Sequence, residues 1–102
     1  MEAIKVIKVG DEEFTLELDR KSIMRAEEVY GVSISKVEDQ FVSQSYKLFR
    51  AALHKNHSNI SIDARDDLFD KFVEEGGDRQ EVVNFLLEQF GNFFKPTTKT
   101  KK

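Results

Sequence analysis

The sequence has no cysteine, no tryptophan and a single proline among its 102 residues. Without cysteine the chain has no disulfide framework, no zinc–thiolate site and no thiol redox chemistry. It also lacks an apolar run near the ~18 residues of a membrane span, and its N-terminal stretch has no apolar core of the signal-peptide kind. We therefore expect a cytoplasmic protein, with no membrane partner, that folds around an ordinary hydrophobic core.

Charge is distributed unevenly along the chain. The formal net charge is −3, but residues 1–94 carry 12 basic and 19 acidic side chains, whereas residues 95–102 carry four lysines and no acid. An acidic body repels phosphate groups, so we expect no nucleic-acid binding by the folded part. The length fits one domain, which we predict over residues 1–94, followed by a disordered basic tail over residues 95–102.

Hydrophobic spacing predicts an α+β fold in which an N-terminal antiparallel β-hairpin packs on a bundle of about four α-helices. The hairpin is predicted over residues 3–18, where apolar and polar residues alternate on both sides of a Gly-Asp turn. The residues expected on its apolar face are Ile4, Val6, Phe14, Leu16 and Leu18. Ile7 and Val9 break the alternation and leave the register near the turn open.

Helical periodicity and capping residues predict the helices at about residues 20–30, 37–55, 62–75 and 79–94. Asp78 is the expected N-cap of the last helix, and either Ser61 or Asp63 can cap the third. Gly76 and Gly77 fit the end of the third helix.

Two of these helices carry more apolar surface than one core face requires. The apolar residues of the last helix cover an arc of roughly 200°, whereas a surface helix needs little more than ~100°. A central position in the fold explains the similar excess on the long second helix. For the last helix, full burial and a second partner surface are equally consistent with the pattern. The candidate partner-binding residues are Leu86, Phe90, Phe93 and Phe94.

Residues that could support catalysis are few. His54 and His57 are spaced to share one side of a helix, but no carboxylate or cysteine joins them at metal-ligand spacing. We interpret them as solvent-facing histidines at a helix end, where the macrodipole favours their cations. The acids of the third helix lack a calcium-loop pattern and are interpreted as a solvated face; they are Asp63, Asp66, Asp67 and Asp70. We expect no enzymatic activity, no cofactor and no metal site.

The order of short motifs along the chain carries a family resemblance. A hairpin ending in Phe-Thr-Leu-Glu is followed by a helix with Arg20 and Ser22 at its start and Glu28 and Gly31 at its end. Two later helices contribute the matching positions Leu48, Phe49, Ala52, Leu53, Asn56, His57, Asp66, Phe69 and Asp70. Together these motifs resemble the small tail assembly chaperones of long-tailed phages and prophages of Gram-positive bacteria.

The resemblance implies a non-enzymatic protein that binds the tape measure protein, keeps it soluble and supports assembly of the tail tube. The implied partners are the tape measure protein, the tail-tube protein and further copies of this chain. The implied location is the host cytoplasm, and the protein would be absent from the mature virion.

Other functions fit the same composition. A head–tail joining protein, an anti-repressor or an immunity protein is also small, acidic and free of cysteine. A metal-dependent hydrolase using His54, His57 and the nearby acids is a weaker alternative, as is an acidic nucleic-acid mimic, because the acids are scattered over every predicted element.

Overall fold

The computed structural model describes residues 4–93, which form two strands, four α-helices and one 3-10 helix. In chain order the elements are β1 (Ile4–Val9), β2 (Glu12–Glu17), α1 (Arg20–Glu28), a 3-10 helix (Ile34–Lys36), α2 (Phe41–His54), α3 (Ile62–Glu74) and α4 (Arg79–Asn92). The predicted α+β class, with an N-terminal antiparallel hairpin and a mostly helical remainder, is confirmed. The start of α2 differs from the predicted Val37, because the 3-10 helix and a turn precede Phe41.

The turn of the hairpin determines which face of β1 is buried. Gly10 has φ 64°, which glycine adopts without steric cost as the first central residue of a two-residue hairpin loop. This short loop sets a register that directs Ile7 and Val9 into the core. Ile4 and Val6 therefore face outward, and the prediction that they lie on the buried face is wrong.

The hydrophobic core lies between the inner face of the hairpin and the helices. Phe49 of α2 stacks on Phe69 of α3, with ring centroids 4.4 Å apart and planes 9° apart. α2 contacts β2, α1, α3 and α4, so its central position accounts for its wide apolar surface. The largest fully buried apolar side chains are Leu16, Leu48, Phe49, Leu53, Phe69, Val82, Leu86 and Phe90.

Polar pairs accompany the apolar contacts between α2 and α3. The guanidinium of Arg50 forms two hydrogen bonds with Asp66, of 2.8 Å from Nε and 2.7 Å from Nη2. The hydroxyl of Tyr46 donates to Asp70. The interpretation of the α3 acids as a solvated face is therefore wrong for Asp66, which is half-buried against α2. Asp70 bonds to α2 but is exposed, as are the other two acids of that set.

Ion pairs and hydrogen bonds also connect the hairpin region to the helices. Lys55 Nζ, just after α2, lies 2.8 Å from Glu17 Oε2 and 2.9 Å from Asp19 Oδ2. Burial opposes ionisation of Asp19, but hydrogen bonds from Lys55 and from the first turn of α1 outweigh it and lower its pKa to about 2. At the other end of the hairpin, the Gly10 N–H donates to the carboxylate of Glu75 over 2.8 Å.

Side-chain caps begin three of the helices. The hydroxyl of Ser61, and not the alternative Asp63, accepts a hydrogen bond at the start of α3. Asp78 caps α4 as predicted, by accepting from the Glu81 N–H over 3.1 Å. Asp19 caps α1 in the same way. These contacts satisfy helix-terminal N–H groups that have no partner within their own helix.

The end of α3 depends on two consecutive glycines, as predicted. The Gly76 N–H donates to the carbonyl of Val73 and the Gly77 N–H to that of Phe72, the bonding pattern of a Schellman motif. Gly76 has φ 97°, in the region that favours glycine. At Gly77 the constraint is space, because a Cβ there would lie only 2.5 and 2.6 Å from two ring carbons of Phe72.

We expect Gly77→Ala to lower the free energy of unfolding by about 1–3 kcal/mol, since the Phe72 ring must move to admit the methyl group. Gly91→Ala in α4 is the matched control, because a Cβ there meets no atom within 4 Å. The control should be neutral or stabilising by about 0.5–1 kcal/mol. Urea unfolding measures both changes, and equal effects would contradict the steric explanation.

Candidate interaction surface

The predicted partner-binding residues of α4 lie in different environments. Leu86 and Phe90 are buried in the core of the chain itself. Phe93, the residue after α4, is 49% exposed, and Phe94 lies outside the described residues. Binding of a partner by this set stays a prediction. Of its described members, only Phe93 offers its side chain to a partner without movement of α4.

The first turn of α2 exposes two large apolar side chains. Phe41 is 42% exposed and Val42 is 61% exposed. Residues seven apart lie nearly on the same side of an α-helix, so Phe41 is in line with buried Leu48, and Val42 is in line with buried Phe49. The stripe that α2 contributes to the core therefore continues past the end of the core into solvent.

A third exposed apolar side chain, Ile34, lies in the 3-10 helix that precedes this turn. The loop is held against α2, because the Ser33 N–H donates to Oε1 of the buried Gln44 over 2.8 Å. We call Ile34, Phe41 and Val42 the first-turn patch. Exposed apolar residues scattered singly are ordinary, whereas a contiguous exposed apolar patch is typical of an interaction site.

At the opposite end of α2 the structure contains a polar cluster that the sequence did not indicate. The side chain of Arg65, on α3, is buried. It donates to the carbonyls of Ile60 (2.9 Å), Arg50 (3.0 Å) and Ser58 (3.5 Å), and to the Tyr30 hydroxyl (2.8 Å). No carboxylate within residues 4–93 pairs with it. The cation instead meets carbonyls near the C-terminal end of α2, where the helix dipole is negative.

Tyr30 connects this cation to His54. Arginine can only donate, so the Tyr30 oxygen accepts from Arg65 and its own proton is left for another acceptor. His54 Nδ1 lies 3.0 Å from the Tyr30 oxygen, and it accepts this proton in the neutral tautomer that carries its own proton on Nε2. Burial lowers the pKa of His54, which favours the neutral ring.

His57 covers the outer edge of β2. The Thr15 N–H donates to His57 Nε2 over 2.9 Å, and the imidazole packs against the ring of Phe14. A backbone N–H can only donate, so Nε2 carries no proton and the imidazole is neutral. Both histidines are half-buried and hydrogen-bonded. The interpretation of them as solvent-facing cations is wrong.

Burial and neighbouring cations lower the pKa of both histidines. Burial is the largest cause for His54, and the charges of Arg25 and Arg65 add to it. Burial is again the largest cause for His57, followed by Arg65. Over the part of the chain that is described, no three His, Asp or Glu side chains are placed to share a metal ion. The cluster joins α1, α2, α3 and the hairpin through hydrogen bonds.

Protonation of the two histidines should destabilise the fold. Their pKa values are lowered from 6.5 in the folded state, so the unfolded chain takes up protons first as the pH falls. The stabilisation is complete above pH 6.5 and is lost as the pH drops toward the lowered values. Urea midpoints at about pH 7.5 and about pH 5.5 should show the loss. Replacing both residues by glutamine should reduce the change of the urea midpoint between these two pH values. An unchanged pH dependence in the double variant would contradict the role of the histidines.

We expect Arg65→Lys to lower the free energy of unfolding by about 2–4 kcal/mol, because an ammonium keeps the charge but not the planar fork of donors. Arg20→Lys, at an exposed position of α1, is the control and should change stability by less than about 0.5 kcal/mol. Thermal or urea unfolding measures the difference. Equal effects would mean that the bonds of the buried guanidinium are not important for stability.

Comparison with known protein families gives a match over most of the chain. A profile described as a domain of unknown function (DUF5055) matches residues 1–97. Neither a curated protein nor a solved structure matches the chain. Within the described range, no helix combines the length and the apolar composition needed to cross a membrane.

Proposed function

The chain belongs to the DUF5055 family, a domain of unknown function, and we propose that it is a tail assembly chaperone that binds the tape measure protein of a long-tailed phage or prophage. The single observation that carries the proposal of a binding role is the first-turn patch. The order of motifs, which resembles that of tail assembly chaperones, supplies the identity of the client. In this proposal the protein works in the host cytoplasm by binding, without catalysis.

The geometry of the first-turn patch suits a helical client. Phe41 and Val42 prolong the stripe by which α2 already packs against its neighbours. An added amphipathic helix could lay its apolar face along that prolongation, as helices do in hydrophobic grooves. The patch is small, which suits a client that must be released when the tail tube assembles around it.

The charge of the chain suits a protein that keeps an apolar client in solution. Residues 1–94 carry seven more acidic than basic side chains. Such a charge opposes aggregation of a complex whose client has much apolar surface. Phe93, exposed after the end of α4, is a second proposed contact for the client.

The test is co-expression of this chain with the tape measure protein of the same phage or prophage, followed by measurement of the soluble client that co-purifies. The double variant Phe41→Ser, Val42→Ser should reduce that amount at least about tenfold, because it removes the apolar contact area. Val29→Ser is the matched control, since Val29, the residue after α1, is 67% exposed and lies outside the patch. It should leave client binding unchanged.

Circular dichroism of the purified variants ensures that they are folded before they are compared. A parent chain that neither binds nor solubilises the client contradicts the proposed function. A folded double variant that retains full binding contradicts the proposed site. In that case Phe93→Ser examines the contact at the end of α4 separately.

A further inference from the structure

The outer edge of β1 carries backbone groups that find no partner within residues 4–93. The Thr15 N–H donates to His57 and so points away from β1. In an antiparallel ladder the residue opposite Thr15, which is Val6, then also directs its N–H and C=O away from the hairpin. Backbone groups of every second residue in a strand point to the same edge, so the N–H and C=O groups of Ile4 and Lys8 also point outward. Among the hydrogen bonds of residues 4–93, none reaches these three outward backbone positions.

This edge borders an open groove. The groove has a volume of about 500 Å³ and separates β1 from α4, with Ile4, Lys5 and Phe85 among its lining residues. α4 reaches β1 there through an ion pair of 2.6 Å between Lys5 Nζ and Glu81 Oε2. Among the described residues, the outer edge is therefore open to another strand.

The side chains at this edge are of the kind that a strand pairing would cover. Natural edge strands are usually protected by charges, proline or bulges. Here Ile4 and Val6 are exposed apolar β-formers, and Val6 is 53% exposed. A sheet of two strands is also marginal by itself, whereas additional strands stabilise it.

We propose that β1 pairs with β1 of a second copy of this chain, antiparallel and about a two-fold axis at Val6. The result is a four-stranded sheet in the order β2, β1, β1, β2. In this register Val6 lies opposite Val6 of the second copy and Ile4 lies opposite Lys8. On the inner face Lys5 lies opposite Ile7.

The sequence of β1 selects this axis. An axis at Val6 is the one arrangement in which the outward residues Ile4, Val6 and Lys8 pair only with one another, so all their N–H and C=O groups find partners. It also places each lysine opposite an isoleucine. An axis at Lys5 or Lys8 would set like charges face to face, which is unfavourable. The edge is thus complementary to itself, which favours a second copy over an unrelated strand.

Opposite charges at position 6 test the pairing. Light scattering after gel filtration should show the parent as a dimer. Val6→Lys and Val6→Glu should each raise the dimer Kd at least about tenfold, because the two-fold axis sets identical charges against each other. An equimolar mixture of the two variants should restore the dimer. Val29→Lys and Val29→Glu, which place the same charges at the exposed residue after α1, should dimerise like the parent.

Three results would overturn the proposal. The first is a monomeric parent. If deletion of residues 94–102 then allowed dimerisation, that segment would be identified as the occupant of the edge. The second is a dimer Kd of the Val6 variants equal to that of the Val29 variants, which would mean that any interface lies elsewhere. The third is tighter association of Val6→Glu alone, which would mean that position 6 faces Lys8 about an axis at Ile7.

Discussion

A buried arginine that has no carboxylate partner within residues 4–93 joins the elements of this fold. Arg65 holds carbonyls near the end of α2 and in the following loop, and it holds the Tyr30 hydroxyl beyond α1. His54 completes one branch of the cluster, and His57 attaches the same region to β2. Hydrogen bonds therefore stabilise the position of the C-terminal end of α2. The opposite end, about 20 Å away along the helix, is where the apolar stripe of α2 meets solvent.

This asymmetry connects the stability of the fold to the proposed function. Because one end of α2 is fixed, its first turn can expose Phe41 and Val42 without loss of the core. The first-turn patch and the outer edge of β1 lie on different elements, so binding of a client and pairing of two copies are separate proposals. A chaperone that pairs in this way would present two patches to one long client, which increases the effective affinity for it.

Local rules predicted most of the elements, because turns and caps depend on neighbouring residues. Gly76 and Asp78 marked the end of one helix and the start of the next for that reason. The buried face of β1 was assigned wrongly, since Ile4 and Val6 alternate as regularly as the residues that the turn directs inward. Arg65 was missed because it stands in the acid-rich stretch DARDD, which resembles a solvated helix face. Its partners come from distant parts of the chain and no local pattern indicates them.

The claim that the Arg65 cluster fixes this end of α2 is tested most directly by the protonation of its two imidazoles. Long-range ¹H–¹⁵N NMR at about pH 7 distinguishes the two neutral tautomers from the cation. The structure predicts that His57 is neutral with its proton on Nδ1, and that His54 is neutral because burial lowers its pKa. A proton on Nε2 of His57, or a cationic state of either ring at that pH, would contradict the account.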